Sequence, residues 1–501
     1  MIYLIWALPA LMVAGSILSG RVGLATAALL GLLVAIGAGL AAGLAPFGVA
    51  QTGNALLRGA WIGVTIAPYI LGGLLFWKIG ARRFQHDGEE PGAASAATAA
   101  GSTPATDTLR LRHRLFFACF LVGPFAESAT GFGVGMIGTV LLLRGRVADP
   151  RHLAIFALLS QTMIPWGAMG SGTVLAAAYI RVTPTELALN AVIPMALLMP
   201  VWLTIYWRTA RQAGLGARWT VALAELAWLA AGLLCLTLAT RYLGPEVALL
   251  AAFGPLIVLR YWRDARPTPA QWRAALVKAL PFVLVIGGLA AARLVPALRE
   301  ALTGIWVLAP YADLPRFAPL YHAGMWFLAA ALVTAALHGR AASLPGEIAS
   351  AWRTGRQAVL TVLLFAMMAE VMSASGVSGA LAQQLFAALR ENVVLLTPTL
   401  SGALGILTNS GNAPNSLFLP SLLAIAAQSG MSVAAIAAVQ HVSGMSLGLF
   451  SPVRMAIAAD LAQARGMERQ LYRCLLPYAL AGFVLMTLAA LAVVGMAAMA
   501  G

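Results

Sequence analysis

Pro124-Phe-Ala-Glu127-Ser128-Ala-Thr130-Gly131-Phe-Gly133 lies in the middle of an apolar stretch, 115–143, and both flanks of that stretch are basic. Arg110, Arg112 and Arg114 precede it; Arg144, Arg146 and Arg151 follow. Loops rich in Lys and Arg stay on the cytoplasmic side of a membrane, whereas a single crossing would put one flank outside. The segment is therefore expected to turn back on itself as a re-entrant hairpin, with its tip at Glu127–Gly133. A second apolar region, 392–427, behaves the same way from the other side. Its tip is Thr408-Asn409-Ser410-Gly411-Asn412-Ala-Pro-Asn415-Ser416.

Composition supports a membrane setting. Of 501 residues, 61% are hydrophobic and 10% charged, against about 25% charged in soluble domains. Apolar blocks long enough to cross a bilayer, roughly 20 residues each, recur about a dozen times. The net charge of +15 sits in short loops between those blocks, so topology accounts for it and nucleic acid is not an expected partner. Three isolated cysteines, Cys119, Cys235 and Cys474, form neither a disulfide framework nor a CxxC pair. No Walker loop, HExxH or GxSxG stands in a credible context. Neither an enzyme nor an ATP-driven pump is expected, and no metal or cofactor is implied.

The expected fold is an all-α polytopic membrane protein with about 12 spans and two re-entrant hairpins, forming one transporter domain over 1–501. Met1 leads straight into an apolar stretch, read as a first span rather than a removed leader. Further spans fall at about 22–45, 58–77, 187–207, 220–240, 245–262, 279–297, 322–338, 358–377 and 474–499. The polar segment 78–114 is expected to be a cytoplasmic loop, with a flexible linker from Asp87 to Thr108. Broken spans are expected at 152–180 and 432–460, where Gly, Ser and Pro interrupt apolar sequence. Lys78, Arg82 and Arg83, then Arg208, Arg211 and Arg218, the group from Arg260 to Lys278, Arg340 to Arg356, and Arg465 to Arg473 all mark cytoplasmic loops, with the N-terminus outside. Hairpin plus broken span then occurs twice: in 1–180, and inverted in 322–501, with 181–321 as connecting helices. Inverted repeats with discontinuous helices place substrate near the bilayer midplane in many secondary transporters, so the two tips should face each other across a site.

The residues that suit such chemistry follow from the tips. Ser128, Thr130, Gly131 and Gly133 offer hydroxyls and open backbone N–H groups to an anion. Glu127 is either a carrier of the coupling proton or a carboxylate bonded to neighbouring backbone that holds the hairpin shut. Asn409, Ser410, Gly411, Asn412, Asn415 and Ser416 supply donors and acceptors without fixed charge; Asn, Ser and carbonyl oxygens could also coordinate sodium. In the second broken span, Ser443 is a substrate candidate and His441 a titratable one. Arg454 could pair with a substrate carboxylate or snorkel to the surface. Glu370 could be a proton site or half of a buried pair. Arg293 could be a proton site, half of a buried pair or a substrate ligand, with snorkelling at the outer surface the favoured expectation.

The stretches Pro124 to Gly133, Asn415-Ser-Leu-Phe418 with Gln428-Ser-Gly-Met-Ser432, and Ser451-Pro452 followed by Met455-Ala-Ile-Ala458 resemble the lactate permease family. The Glu-x-Ala-x-Gly-Phe-Gly stretch is the most specific of them. The resemblance implies proton-coupled symport of a small 2-hydroxy monocarboxylate (L-lactate, D-lactate or glycolate) across the cytoplasmic (inner) membrane. The plan is also similar to the wider ion-transporter group with paired hairpins. Two positions depart from the family pattern: Gly411 stands where the second tip carries an Asp, and Arg454 follows the Ser-Pro step instead of a basic residue preceding it.

Overall fold

A computed structural model describes residues 2–80, 104–339 and 341–500. Arg82, Arg83, Arg340 and most of the expected linker lie outside the described residues. Regular structure among the described residues is helical, apart from one isolated antiparallel bridge between Leu308 and Phe317. Ala- and Leu-rich sequence favours helices, and in lipid a helix satisfies its own backbone.

The chain opens with α1 (Ile2–Leu18), α2 (Leu24–Ala42) and α3 (Val49–Gly80). Helix α4 (Pro104–Phe117) runs through a five-residue π-helical segment into α5 (Gly123–Thr130), and α6 (Val134–Leu143) turns back. Next come α7 (Pro150–Leu159) and α8 (Ser171–Ile180), separated by irregular backbone. Four longer helices and a short one follow: α9 (Pro184–Gln212), α10 (Trp219–Leu243), α11 (Pro245–Ala265), α12 (Pro269–Leu294) and α13 (Pro296–Gly304). The second part contains α14 (Ala323–Leu337), α15 (Leu344–Ala374), α16 (Val377–Leu389), α17 (Leu396–Thr408), α18 (Asn412–Ser429), α19 (Val433–Leu447), α20 (Pro452–Leu461) and α21 (Glu468–Ala500). Four starts share one local device: a capping side chain precedes a proline whose missing N–H costs nothing in the first turn. Asp149, Thr183, Thr268 and Ser451 each accept a backbone N–H at the start of α7, α9, α12 and α20.

Among the described residues, nine helices are long and apolar enough to cross a membrane. The dozen expected spans are thus not all full-length. The expected span at 322–338 is a helix of only 15 residues, whereas the one at 358–377 belongs to a helix of 31. Helix α16 occupies sequence left between spans, and α4 begins inside the segment expected to be flexible up to Thr108. Charge misled there. Arg112, expected in a cytoplasmic loop, is buried, and Glu225 accepts two hydrogen bonds from it at 2.8 Å each. Trp207 donates a further bond to the same carboxylate at 2.8 Å. Removing one partner of such a buried pair costs about 3–5 kcal/mol, so this pair clamps α4 to α10.

Close glycine contacts show how the elements stack. An added Cβ at Gly59 would meet Met367, one at Gly63 would meet Leu363, and one at Gly355 would meet Leu74. The rising and falling numbers make α3 and α15 antiparallel. Elsewhere the order is parallel. Cys119 donates to the Phe156 carbonyl, and a Cβ on Gly123 would touch Ser160. Ser401 donates to the Gln440 carbonyl, and a Cβ on Gly405 would touch Gly444. The first arm of each helix–turn–helix therefore packs parallel to the first half of the interrupted helix that follows it. Small residues allow that approach.

Helices α10 and α12 lie at the periphery. Leu223, Leu234, Leu238, Leu280 and Leu284 are exposed on them, as lipid-facing side chains should be. Buried polar residues gather in the centre instead: Thr173, Asn415, Ser416, Gln440, His441 and Ser443 are all at most 0% exposed.

Candidate functional site

The first tip is built by two glycines and closed by Glu127. Gly131 and Gly133 have φ of +75° and +79°, a region that a side chain would strain. That turn brings α6 back beside α5. The Glu127 side chain then reaches the new helix: Oε1 accepts from Gly133 N at 3.0 Å and Oε2 from Gly135 N at 2.9 Å. Helix N-termini leave such N–H groups without partners inside the helix, and a carboxylate there also meets the positive end of the helix dipole. Both carboxylate oxygens hold the tip. Ser128 donates to Phe125 O at 2.7 Å and Thr130 to Ala126 O at 3.4 Å, so these hydroxyls are bonded within their own helix.

The second tip is Asn409–Gly411. Asn409 adopts the left-handed conformation at φ +53°, which Asn tolerates better than most residues. Ser410 Oγ accepts from Asn412 N at 3.3 Å at the start of α18. Gly411 admits Met445, whose Sδ would lie 1.9 Å from an added Cβ.

One connected group joins the second hairpin to both interrupted helices. His441 Nε2 is 3.0 Å from Thr173 Oγ1 on α8, and His441 Nδ1 is 2.9 Å from Asn415 Nδ2 on α18. Two turns along α8, Tyr179 bonds Ser416 at 2.8 Å, and Ser416 donates to the Asn412 carbonyl at 2.9 Å. Gln440 donates to the Pro414 carbonyl at 3.2 Å. Ser443 donates to Val439 O within α19 at 2.7 Å.

Among the described residues, four buried polar atoms in this region have no hydrogen-bond partner: Trp166 Nε1, Asn412 Oδ1, Asn415 Oδ1 and Gln440 Oε1. Buried polar atoms are nearly always paired, and each unpaired one costs about 1–3 kcal/mol. Together they offer one N–H and three amide oxygens. Asn412 Oδ1 would sit 3.5 Å from a Cβ on Gly172, at the start of α8. The unpaired groups thus come from the break after α7, the start of α18, and α19.

Arg454, in α20, links the two tips. It is half-buried. Its Nε donates to Asn409 Oδ1 at 2.8 Å, and Glu127 acts on it electrostatically. The second interruption falls at Gly448–Ser451, so His441 and Ser443 lie on a continuous helix, one to two turns before it.

Two charged candidates lie away from this group. Glu370 is bonded to Arg58 at 2.9 Å and to Arg181 at 2.8 Å. It belongs to an ion cluster, which corresponds to the buried-pair alternative. Asp313 completes the cluster, and the Arg58 guanidinium holds its carboxyl below the usual carboxylate range. Arg293 does not snorkel as expected. It is buried, donates to Leu289 O at 3.3 Å, and lies 4.7 Å from the centre of the Tyr321 ring. The aromatic face and the Leu289 carbonyl offset part of the cost of burying the guanidinium.

Sequence reasoning did not single out Tyr179, Gln440, Arg58, Arg181 or Asp313. A signal existed for Gln440, an uncharged polar residue beside His441 in an apolar helix. For the others the signal is the partner, which lies far away in the chain. No cluster of three or more His, Cys, Asp or Glu that could hold a metal occurs among the described residues.

These features define a multi-pass integral membrane protein with two helix–turn–helix units and two interrupted helices meeting around buried, partly unpaired polar groups. Residues 308–497 match the family model described as L-lactate permease. The resemblance to the lactate permease family thus holds over the C-terminal part of the chain, which contains the second tip, His441 and Arg454. The Pro124–Gly133 stretch lies outside the matched residues. That family is one of permeases, carriers rather than enzymes. No curated protein matches the chain.

Proposed function

We propose that this chain is a secondary transporter that carries a small 2-hydroxy monocarboxylate, such as lactate or glycolate, together with a proton. The observation that carries this reading is the set of four unpaired buried polar atoms at Trp166, Asn412, Asn415 and Gln440. A 2-hydroxy acid offers both complements. Its carboxylate accepts from an N–H, and its hydroxyl donates to an amide oxygen. Arg454 is bonded through Nε to Asn409 and has no other hydrogen bond among the described residues, which leaves guanidinium N–H groups for the carboxylate. The match to L-lactate permease supports the same substrate class.

In this reading Ser128, Thr130, Gly131 and Gly133 shape the first tip. Asn409 to Asn412, with Asn415, Ser416, Ser443 and Arg454, line the substrate side. His441, in contact with both α8 and α18, is the residue best placed to couple a proton to binding; Glu127 and Glu370 remain coupling candidates whose carboxylates already serve the tip and the ion cluster. Antiparallel α3 and α15, each leading to a hairpin packed in parallel on an interrupted helix, support two units of opposite orientation. Each hairpin then enters from and returns to its own face, the two faces being opposite, with the N-terminus outside and the basic loops on the cytoplasmic side of the membrane.

The deciding experiment is uptake of radiolabelled L-lactate, D-lactate and glycolate into proteoliposomes. An inward proton gradient should stimulate uptake at fixed sodium. Stimulation by a sodium gradient at fixed pH would replace the proton by sodium, since the same amide oxygens suit that cation. Absence of gradient-driven uptake of every 2-hydroxy acid tested would overturn the proposal.

A further inference from the structure

We propose that Arg58 and Arg181 form a carboxylate-binding station for the transported anion, occupied in this conformation by the chain's own Asp313. The inference rests on the transporter reading and adds to it a second place where the substrate's carboxylate binds.

The geometry of the cluster separates its two carboxylates by role. Arg58 donates to Asp313 through both terminal nitrogens, at 3.1 and 2.6 Å, and through Nε to Glu370 at 2.9 Å. Arg181 reaches Glu370 at 2.8 Å and Asp313 at 3.6 Å. Each carboxylate therefore spans both guanidinium groups. The Glu370 side chain is 5% exposed and stands on α15, whereas the Asp313 side chain is 52% exposed. Asp313 belongs to the irregular segment between α13 and α14. That segment is tied down by the Leu308–Phe317 bridge and by a Trp61 bond to the Pro315 carbonyl at 2.8 Å. Glu370 is the fixed counter-ion, whereas the half-exposed Asp313 side chain can rotate away into solvent while its backbone stays in place.

Charge sets the ligand class. Two arginines and two carboxylates balance. With Asp313 withdrawn the cluster carries one net positive charge, and one monocarboxylate restores the balance. A neutral amide of the same shape would not, and a dianion would exceed it. The planar Arg58 fork already presents two donors to a carboxylate in the position that Asp313 fills, and Arg181 adds a second positive charge 3.6 Å away. An incoming carboxylate can take over the two terminal-nitrogen bonds that Asp313 holds, so exchange leaves the number of charge-assisted bonds unchanged.

The station is also connected to the deeper group. Arg181 directly follows α8, the helix that carries Tyr179 on Ser416 and Thr173 on His441. Eight residues of helix separate Thr173 from Arg181, about 12 Å along the axis. An anion leaving the station would pass along one helix to reach the unpaired polar atoms.

The test uses the full-length protein in proteoliposomes, with two readouts. The first is the KM for L-lactate uptake. Asp313→Asn removes the competing charge and should lower KM by roughly threefold or more, and Arg181→Gln should raise it by a similar factor. The second is phenylglyoxal labelling of Arg58 and Arg181, read by peptide mass spectrometry. Labelling should increase in Asp313→Asn and be suppressed by L-lactate but not by lactamide. In the unmutated protein L-lactate, but not lactamide, should lower labelling of Arg58 and Arg181, so the test survives a variant that fails to fold. An unchanged KM in Asp313→Asn, with labelling indifferent to L-lactate, overturns the station and leaves transport standing. Suppression of labelling by L-lactate in a protein that transports nothing upholds the station and removes the transporter reading.

Discussion

His441 is held by Asn415: Nδ1 of the imidazole lies 2.9 Å from Nδ2 of the amide, while Nε2 lies 3.0 Å from Thr173 Oγ1. The ring therefore bridges the second hairpin and the first interrupted helix, at complete burial. A ligand that binds Asn415 Oδ1, or a proton that arrives at the ring, must alter both contacts together. His441→Ala should lower the initial rate of L-lactate uptake by about tenfold or more, with Asn415→Ala similar. The double variant should lose less than the product of the single losses, because the two residues act through one bond. Additive losses would separate their roles.

Arg454 offers guanidinium donors beyond its bond to Asn409. Arg454→Gln should raise KM by about tenfold, the loss of roughly 1.4 kcal/mol, with a smaller change in maximal rate. Arg454→Lys should recover only part, since an ammonium cannot reproduce the planar fork. Uptake kinetics over a range of L-lactate concentrations distinguish these outcomes from a general loss of fold.

Glu127 closes the first tip with both oxygens. In Glu127→Gln one oxygen becomes an NH₂ group that faces a backbone donor. The variant should lose about 1–3 kcal/mol of stability, seen as a lower Tm by intrinsic tryptophan fluorescence in detergent. If Tm is unchanged while proton-stimulated uptake disappears, the carboxylate serves coupling and not the turn.

Gly405 and Gly444 meet backbone to backbone. A Cβ at Gly405 would lie 2.3 Å from the Gly444 carbonyl oxygen. Gly405→Ala should therefore destabilise by about 1–3 kcal/mol through overpacking. Gly138, on the other hairpin, has nothing within 4 Å of an added Cβ. Gly138→Ala should be neutral or slightly stabilising, because Ala is the better helix former. Thermal shifts of the two variants, measured side by side, check the pair.

Asp149 caps α7 from the loop and accepts Arg151 N at 2.8 Å. The Arg151 guanidinium beside it holds its carboxyl below the usual range. A folded-state value below the unfolded one adds stability above the ordinary carboxylate range, and that stability is lost as pH falls through the folded value. Asp149→Asn should thus destabilise the fold slightly at neutral pH, read as a small fall in Tm, since so exposed a pair is well screened by solvent. The difference from the unmutated protein should shrink as the pH is taken below about 4.

Residue types and their order were sufficient to read some of this protein. Long apolar blocks require helices in a membrane, because no other local structure satisfies the backbone there. Gly131 and Gly133 marked a turn because they can take positive φ, and the Asn-rich run marked the other. The basic flanks of 115–143 suggested a reversal between them, although one flanking residue, Arg112, is buried against Glu225. The match over residues 308–497 accords with motifs visible in that half. The sequence could not show which polar residues would remain unpaired, because that depends on where each helix is placed against the others. Thr173 meets His441 across 268 positions, and Arg58 meets Glu370 across 312. Such contacts leave no periodicity or spacing in the chain. Only the packing of helices against one another decided that Arg293 rests on an aromatic ring, and that Trp166, Asn412, Asn415 and Gln440 each present a polar atom with no partner among the described residues.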